Sequence, residues 1–568
     1  MDLAFVATTY AGEASVALFG QNDNCHKCAL VRLLPVGCSD ANCSTLSADP
    51  ALFSFYTVYP WSLELREEGN DSSIWASRSS FDDTANYSMT IEARSDTVDV
   101  AFATTVAPEP SRLLLIVGIL LLVWLGACVG TYFYKKSRNT DSQSAEDDAS
   151  ECHENAFHVH DEEAPADAPL LPVPAPRRVA SLDVFRGLTI TCMIFTNLGG
   201  GGYWFWSHAT WNGLTPADCV FPWFVWIMGV TMTLGVKSHV KRGAPHWRLL
   251  WTSFLRAIKL FCLGLLVNNI RDLESCRIPG VLQTFAFAYF AVTVAVVSGL
   301  YGSSPTRRFQ RVAIEAAVVT TLLLCYLGFV FFLPVPGCPT GYFGLSEVAE
   351  WCDTRVGPGG DSDDGAYRDC LGGAHRVVDR YIFGDAHLLP GGTPSGVYNT
   401  PGPWDPEGFL NWLAASVLTY LGYVVGGAFL DAKDWTRKVT FLSGSSVASG
   451  LLGLLLCGFR VNDGFIPINK NLWSPSFVLV TSALACGALG VIYLLVDKWP
   501  VWSGAPFSYA GMNAIVLYVG HEVLIGYFPF TYDRADTHTA WTISNLIGCA
   551  CWLAIAYAMH RRNLFITV

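Results

Sequence analysis

Leu113-Leu-Leu-Ile-Val-Gly-Ile-Leu-Leu-Leu-Val-Trp-Leu-Gly-Ala-Cys-Val-Gly-Thr-Tyr-Phe-Tyr134 is an uninterrupted apolar run, closed at once by Lys135, Lys136 and Arg138. A bilayer core takes about 20 apolar residues per helix, so the run predicts a membrane span and the basic cluster its cytosolic end. Similar runs follow at 184–200, 219–236, 249–268, 279–299, 312–333, 408–430, 439–459, 475–496, 505–525 and 541–560. The 568 residues are 51% hydrophobic and 15% charged, with a mean hydropathy of +0.34. That balance excludes a cytosolic globular protein and predicts an all-α polytopic membrane protein of about eleven transmembrane helices, embedded in membrane lipid. The formal net charge is −12 with no basic stripe, which excludes nucleic acid as a main partner.

Residues 1–110 read differently. Alternating patches such as Ser88-Met-Thr-Ile-Glu-Ala-Arg suit half-buried strands and predict a small β-rich domain. This segment holds the N-glycosylation signals Asn42-Cys-Ser, Asn70-Asp-Ser and Asn86-Tyr-Ser, together with Cys25, Cys28, Cys38 and Cys43. Sequons and crowded cysteines place it in an oxidising lumen. Zinc on Cys25-His-Lys-Cys28 is the weaker reading beside those sequons, and no metal site is expected. Met1 to Gly20 lacks a basic n-region and Glu13 interrupts its apolar residues, which predicts a truncated or mis-started N-terminus.

The first span covers 111–134. Residues 135–178 are acidic and rich in Ser, Pro and Ala, and are expected to be a disordered cytosolic linker carrying the sorting-type motif Asp167-Ala-Pro-Leu170-Leu171. A ten-helix membrane domain follows over 179–568. An odd count with a luminal N-terminus puts the C-terminus in the cytosol. The loops on that side carry Lys237, Lys241, Arg242 and Arg248, then Arg307, Arg308 and Arg311, then Lys433, Arg437 and Lys438, then Arg561 and Arg562. The large loop 334–407 is luminal and holds Cys338, Cys352 and Cys370, with Cys276 in the luminal loop before it. One or two disulfides are expected to pin it.

Chemistry concentrates between Ser181 and Gly229. Asp183 and Arg186 open the second span, and Asn197, His208, Asn212 and Asp218 gather at its far end. Ionisable groups at membrane depth are costly and cluster where they face a cavity or a partner. His208 has the side-chain pKa best suited to moving a proton, and amides such as Asn197 and Asn212 can donate to a developing oxyanion. Asp218 either orients an imidazole or serves as a first-turn helix carboxylate. The run Gly199–Gly202 lacks the strand-turn-helix setting of a phosphate cradle, and suits close backbone approach instead.

Blocks along nearly the whole chain carry a resemblance. They are Leu182-Asp183-Val-Phe-Arg186-Gly187, Tyr203-Trp-Phe-Trp-Ser-His208-Ala-Thr-Trp-Asn212-Gly-Leu-Thr215, Phe221-Pro-Trp-Phe224, Arg277-Ile-Pro-Gly-Val-Leu-Gln283, Leu333-Pro-Val-Pro-Gly-Cys338, Gly464-Phe-Ile-Pro-Ile-Asn469-Lys470-Asn471-Leu-Trp-Ser474, and Gly511-Met-Asn513 through Gly520-His521-Glu522. In this order they resemble the transmembrane lysosomal acetyltransferase family, the heparan-alpha-glucosaminide N-acetyltransferases. The resemblance implies a lysosomal membrane enzyme that moves acetyl from cytosolic acetyl-CoA to the amine of the terminal glucosamine of heparan sulfate. A membrane acyltransferase for another sugar and a solute transporter are the alternatives, though no duplicated broken-helix repeat favours the latter.

By the same resemblance His208 is the catalytic histidine, and amide chemistry makes Asn197 its candidate oxyanion donor. The acceptor side falls to Asn212, Asp218, Lys470, Asn471, His521 and Glu522. The acetyl-CoA side falls to Arg186, Lys237, Lys241, Arg242, Arg256 and Gln283, since phosphates call for basic partners. Where the resemblance implies an arginine after Gln283 this chain has Thr284, which passes that contact to Arg256 or Arg277. A homodimer is the expected assembly.

Overall fold

The computed structural model describes residues 2–12, 15–38, 45–47, 49–68, 72–93, 98–107, 113, 115–130, 179–268, 272–302, 308–342, 356–529 and 534–566. Asn42, Asn70, Cys43, Cys352 and the whole of the 135–178 linker lie outside them. The strands are β1 (Leu3–Ala11), β2 (Val16–Asn22), β3 (Val31–Arg32), β4 (Ala51–Tyr56), β5 (Trp61–Glu67), β6 (Ser73–Ser79), β7 (Asn86–Ala93) and β8 (Val98–Val106). They form two four-stranded sheets, ordered β4-β1-β7-β8 and β3-β2-β5-β6. In β1 the side chains of Ala4, Val6, Thr8 and Tyr10 are buried while their neighbours face outward, the two-residue period of a half-buried strand. They meet Leu18, Phe53, Phe55, Leu63, Leu65, Met89 and Ile91 in the core between the sheets. The β-rich domain is thus a small sandwich, with Asn86 half-buried at the start of β7.

The helices are α1 (Leu115–Gly130), α2 (Ala180–Asn197), α3 (Pro216–Lys241), α4 (His246–Val267), α5 (Val281–Gly302), α6 (Arg308–Phe332), α7 (Ala374–Phe383), α8 (Ser395–Tyr398), α9 (Phe409–Asp431), α10 (Trp435–Leu456), α11 (Pro475–Tyr493), α12 (Phe507–Met512), α13 (Ala514–Val523) and α14 (His538–Arg561). Among the described residues eight of them (α3, α4, α5, α6, α9, α10, α11 and α14) are long and apolar enough to cross a membrane. The chain is therefore a multi-pass membrane protein, but the count of eleven is not reproduced. The stretch expected as a tenth span is broken at Asn513, whose backbone leaves helical geometry and whose Oδ1 accepts from the Ile566 N–H at 3.1 Å. The tail after α14 thereby satisfies a group that a continuous helix would leave inside the bundle.

Small residues bring helices into backbone contact, as membrane bundles require when hydrophobicity alone cannot drive association. Gly187 of α2 faces the Phe507 carbonyl and Gly511 of α12 faces the Asp183 carbonyl; a Cβ at either would sit 1.8 Å from that oxygen. Gly229 of α3 approaches the Thr419 carbonyl of α9 in the same way.

The sandwich is docked on this bundle. Thr210 Oγ1 donates to Asn24 Oδ1 at 3.0 Å, and the Tyr398 hydroxyl donates to the Asn24 carbonyl at 3.3 Å. His538 at the start of α14 lies 3.1 Å from Asp2 and 3.2 Å from Asp83. Disulfides join Cys25 to Cys28 and Cys338 to Cys370. Cys276 keeps a free thiol, so it does not supply a second bridge to the large loop. Its Sγ rests 3.9 Å from His387 instead.

Gly511→Ala is expected to cost at least about 1–3 kcal/mol through forced separation of α2 and α12, read as a lower unfolding temperature in detergent. Gly444→Ala, where an added methyl meets nothing within 4 Å, should leave that temperature unchanged or raise it.

Candidate active site

The loop joining α2 to α3 is shaped by glycine. Gly199, Gly200, Gly201 and Gly202 all take positive φ, which residues with a Cβ adopt only under strain. A Cβ on Gly200 would lie 2.4 Å from Trp206 Cβ, and one on Gly201 would lie 2.5 Å from Thr542 Oγ1 of α14. The run therefore serves close backbone approach, and it folds the following Trp204–Trp206 turn and Ser207-His208 back over the start of α3.

That start is a capping box. Thr215 is the N-cap and Asp218 the third helical residue, so the carboxylate reaches back to the orphan donors of the first turn. Asp218 Oδ2 accepts from the Thr215 N–H at 3.0 Å, from Thr215 Oγ1 at 3.0 Å and from the Ala209 N–H at 3.1 Å. Its Oδ1 accepts from His208 Nδ1 at 2.8 Å, and Lys470 Nζ stands 3.9 Å from the same oxygen. Asp218 is fully buried. Orienting an imidazole and capping a helix are here one role.

A carboxylate can only accept, so Nδ1 of His208 carries the proton and Nε2 keeps the lone pair. The His208 side chain is 36% exposed, which leaves the ring edge away from Asp218 open to a cavity. Burial first, and then the Lys470 charge, hold its pKa below the ordinary histidine value despite Asp218. Burial likewise lowers the pKa of Lys470, against the pull of Asp218 and Glu407. The result is an oriented imidazole whose neutral form is favoured, with Nε2 turned away from Asp218.

Two other amides expected near substrate are engaged in hydrogen bonds within the protein. Asn212 donates to Asn462 Oδ1 at 3.3 Å and accepts from Asn469 Nδ2 at 3.0 Å. Asn471 donates to the Thr210 carbonyl at 3.4 Å, and its own carbonyl accepts from Asn411 Nδ2 at 2.9 Å. These bonds lash the loop after α10 to the His208 loop, which is how Lys470 arrives beside Asp218.

Asn197 belongs to a second cluster. Its Nδ2 donates to Glu522 Oε1 at 2.8 Å and meets His521 Nε2 at 3.0 Å, while His521 Nδ1 lies 2.9 Å from the Leu517 carbonyl. Both N–H groups of the amide are thus engaged, and serving an oxyanion would require releasing one. Glu522 opens on a cavity of about 970 Å³ lined also by Arg277, Glu407 and Tyr518. The spacing of residues had not pointed to Glu407 or to Asp405. Arg277 Nε and Nη2 donate to Asp405 at 2.8 and 2.7 Å, and Nη2 also reaches Glu407. Burial alone would depress the Arg277 pKa, but these two carboxylates raise it. Arg277 is thereby committed to its acids.

A separate cavity of about 490 Å³ runs between α2, α3, α4, α5 and α12–α13. Its wall is mostly apolar, including Phe221, Phe224, Phe285 and Tyr289, with Arg186 and Arg256 as the lysine or arginine side chains among the described lining residues. Arg256 lies over the Tyr289 ring at 4.6 Å, and Arg186 donates to the Gly511 carbonyl at 3.1 Å. The other basic candidates do not line it. Lys237 pairs with Asp431 at 2.5 Å, Arg242 bonds back to Ser238, and Lys241 is exposed at the end of α3. Gln283 is fully buried, with neither amide atom partnered among the described residues, packed against Gly264 and Gly280. The cavity begins one turn along α3 from Asp218, at Phe221, whose ring packs edge-on at 5.1 Å against Trp473. Val281 and Tyr518 line this cavity and the 970 Å³ one alike.

No protein-family model matches the chain. It is 39% identical over 407 residues to heparan-alpha-glucosaminide N-acetyltransferase of Mus musculus, covering 68% of this chain and 60% of that protein. It is 38% identical over 411 residues to the Homo sapiens protein of the same name, covering 69% of this chain and 60% of the relative. The match thus spans about 60% of the length of these curated relatives. The resemblance carried by the sequence motifs extends over two thirds of the chain: it is similar to the heparan-alpha-glucosaminide N-acetyltransferases.

Proposed function

We propose that this chain is an acetyl-CoA:heparan-alpha-glucosaminide N-acetyltransferase of the lysosomal membrane, with its N-terminal sandwich luminal and its C-terminus cytosolic. The observation that carries the reading is the His208–Asp218 pair, a buried carboxylate fixing the tautomer of a half-exposed imidazole. Aminolysis of a thioester needs that arrangement. The acceptor amine loses a proton as its nitrogen attacks the acetyl carbon, the C–S bond then breaks, and CoA leaves as its thiolate. His208 Nε2 takes the proton, and Asp218 stabilises the imidazolium that forms. The apolar cavity ringed by Arg186 and Arg256 suits acetyl-CoA, whose long neutral arm and phosphates match such a wall. Glu407 and Glu522, on the neighbouring cavity, supply negative charge suited to an ammonium acceptor.

His208→Ala should lower kcat at least about a hundredfold in protein that still folds and reaches its membrane, because general-base transfer is worth about 10²–10⁴-fold. Asp218→Asn should cost a similar factor, since an amide can donate to Nδ1 and favour the wrong tautomer. Labelled acetyl retained on the wild-type protein after CoA removal, and absent from His208→Ala, would identify an acetyl-histidine step. Near-normal turnover of His208→Ala would end the proposal.

The lowered pKa of His208 sets the sign of the pH dependence. The neutral base is active, so kcat/KM is lost as pH falls through a pKa below the ordinary histidine value. Lys470→Met removes a positive neighbour, stabilises the imidazolium, and should move that acid limb to higher pH. The titration of the acceptor amine is common to both proteins, so the comparison isolates the enzyme group. An unmoved limb, or a shift to lower pH, would remove Lys470 from this role.

A further inference from the structure

We propose that the groove between the sandwich and the His208 loop is an oligosaccharide site, which grips the sugars next to the one being acetylated. The inference rests on the acetyl-transfer reading above and extends it from the reacting amine to the chain behind it. The groove has a volume of about 560 Å³, within the usual range for small-molecule sites. His208 and Trp204 form one wall, Asn24, Tyr59 and Trp61 of the sandwich form the other, and Asn399 of the large loop closes an end.

The lining narrows the class of ligand. Aromatic rings alternate with amides and hydroxyls, and no lysine or arginine is present among the described lining residues. Phosphate would call for such cations, a lipid tail would call for an apolar wall, and the acidic groups of a glycan held here would have to face solvent. Asp361, the one carboxylate in the lining, already accepts from Arg368 Nη1 at 3.1 Å and Asn399 Nδ2 at 2.6 Å. Flat aromatic faces beside hydrogen-bonding amides instead match pyranose rings, which present C–H faces and a rim of hydroxyls.

The rings are positioned before any ligand arrives. Trp61 Nε1 donates to the Tyr56 carbonyl at 2.8 Å, and its ring meets Phe55 edge-on at 5.2 Å. Tyr59 of the sandwich and Trp204 of the membrane domain lie 6.4 Å apart at 60°, so the two domains build one aromatic corner. Trp204 remains 46% exposed, four residues before His208, where burying an indole would otherwise be favourable. The bond from Thr210 to Asn24 holds the two walls in register. The sandwich is on this account part of the acceptor site.

The test compares acetylation of free glucosamine with that of a tetrasaccharide bearing glucosamine at its non-reducing end, using the full chain in detergent. Trp204→Ala and Tyr59→Ala should each lower the tetrasaccharide-to-glucosamine ratio of kcat/KM about tenfold, chiefly through KM, and Trp204→Phe should retain most of it. An unchanged ratio overturns the proposal, whether both rates fall together or neither does. Direct binding of a tetrasaccharide already capped with N-acetylglucosamine, followed by calorimetry, supplies a readout independent of turnover. Binding to the wild type weakened about tenfold in Trp204→Ala supports the groove, and no binding to the wild type refutes it. Should the wild type acetylate neither acceptor, the acetyl-transfer reading fails while the calorimetry still decides the groove.

Discussion

The carboxylate of Asp218 is the contact around which the rest of the site is arranged. A carboxylate taken out of water carries a penalty of several kcal/mol unless donors and charge replace its hydration. Here the replacement comes from the Thr215 N–H and hydroxyl, the Ala209 N–H, His208 Nδ1 and the nearby Lys470 ammonium, with the positive end of α3 beneath it. These donors come from three pieces of local structure. The helix start, the return of the Trp204–Ala209 loop and the loop after α10 thus meet at one carboxylate, and the Asn212 and Asn471 bonds hold the last two together beside it.

The same arrangement sets the charge state of the imidazole. Lys470 and Asp218 together are close to neutral, so an imidazolium would add net positive charge to a poorly solvated corner, with only the more distant Glu407 in opposition. Protonation of the resting histidine is thereby disfavoured, while Asp218 at 2.8 Å remains ready to stabilise a transient positive charge. A base must hold both properties at once: too strong an anion would protonate it at rest, and too strong a cation would prevent it from accepting a proton.

Much of this was legible in the sequence because bilayers write long, simple patterns. Span lengths, the basic loops and the alternation within β1 each follow from a single local period. The pairing of His208 with Asp218 was within reach too, since they lie ten residues apart around a Thr215-x-x-Asp218 capping signature. What escaped depends on partners far apart in sequence. The Arg277 pairing with Asp405 and Glu407 crosses about 130 residues, and the contact of Asn24 with Thr210 crosses 186. The break at Asn513 escaped because the apolar run continues through it; only the returning C-terminal tail reveals why a helix can stop there. Lys237, Lys241 and Arg242 stand apart from the apolar cavity among the described residues, and a basic residue at a helix end obeys the topology rule whether or not it meets a ligand.

A transfer reaction across this fold has to separate what stays from what moves. The phosphates of an acyl donor cannot enter hydrocarbon cheaply, whereas an acetyl group carries no charge. Arg186 lies in the first turns of α2, and Asn197 ends it eleven residues later, a rise of about 16 Å. The cavity follows α2 from Arg186 past Met193 and reaches Tyr518, which also faces the acidic cavity beyond. Phe221, one turn along α3 from Asp218, lines its wall and is backed by Trp473, which follows Lys470 by three residues. Val281 and Tyr518 line both cavities, so the wall between them is drawn from α5 and α13, while the start of α3 that carries Asp218 also supplies Phe221 to the apolar cavity.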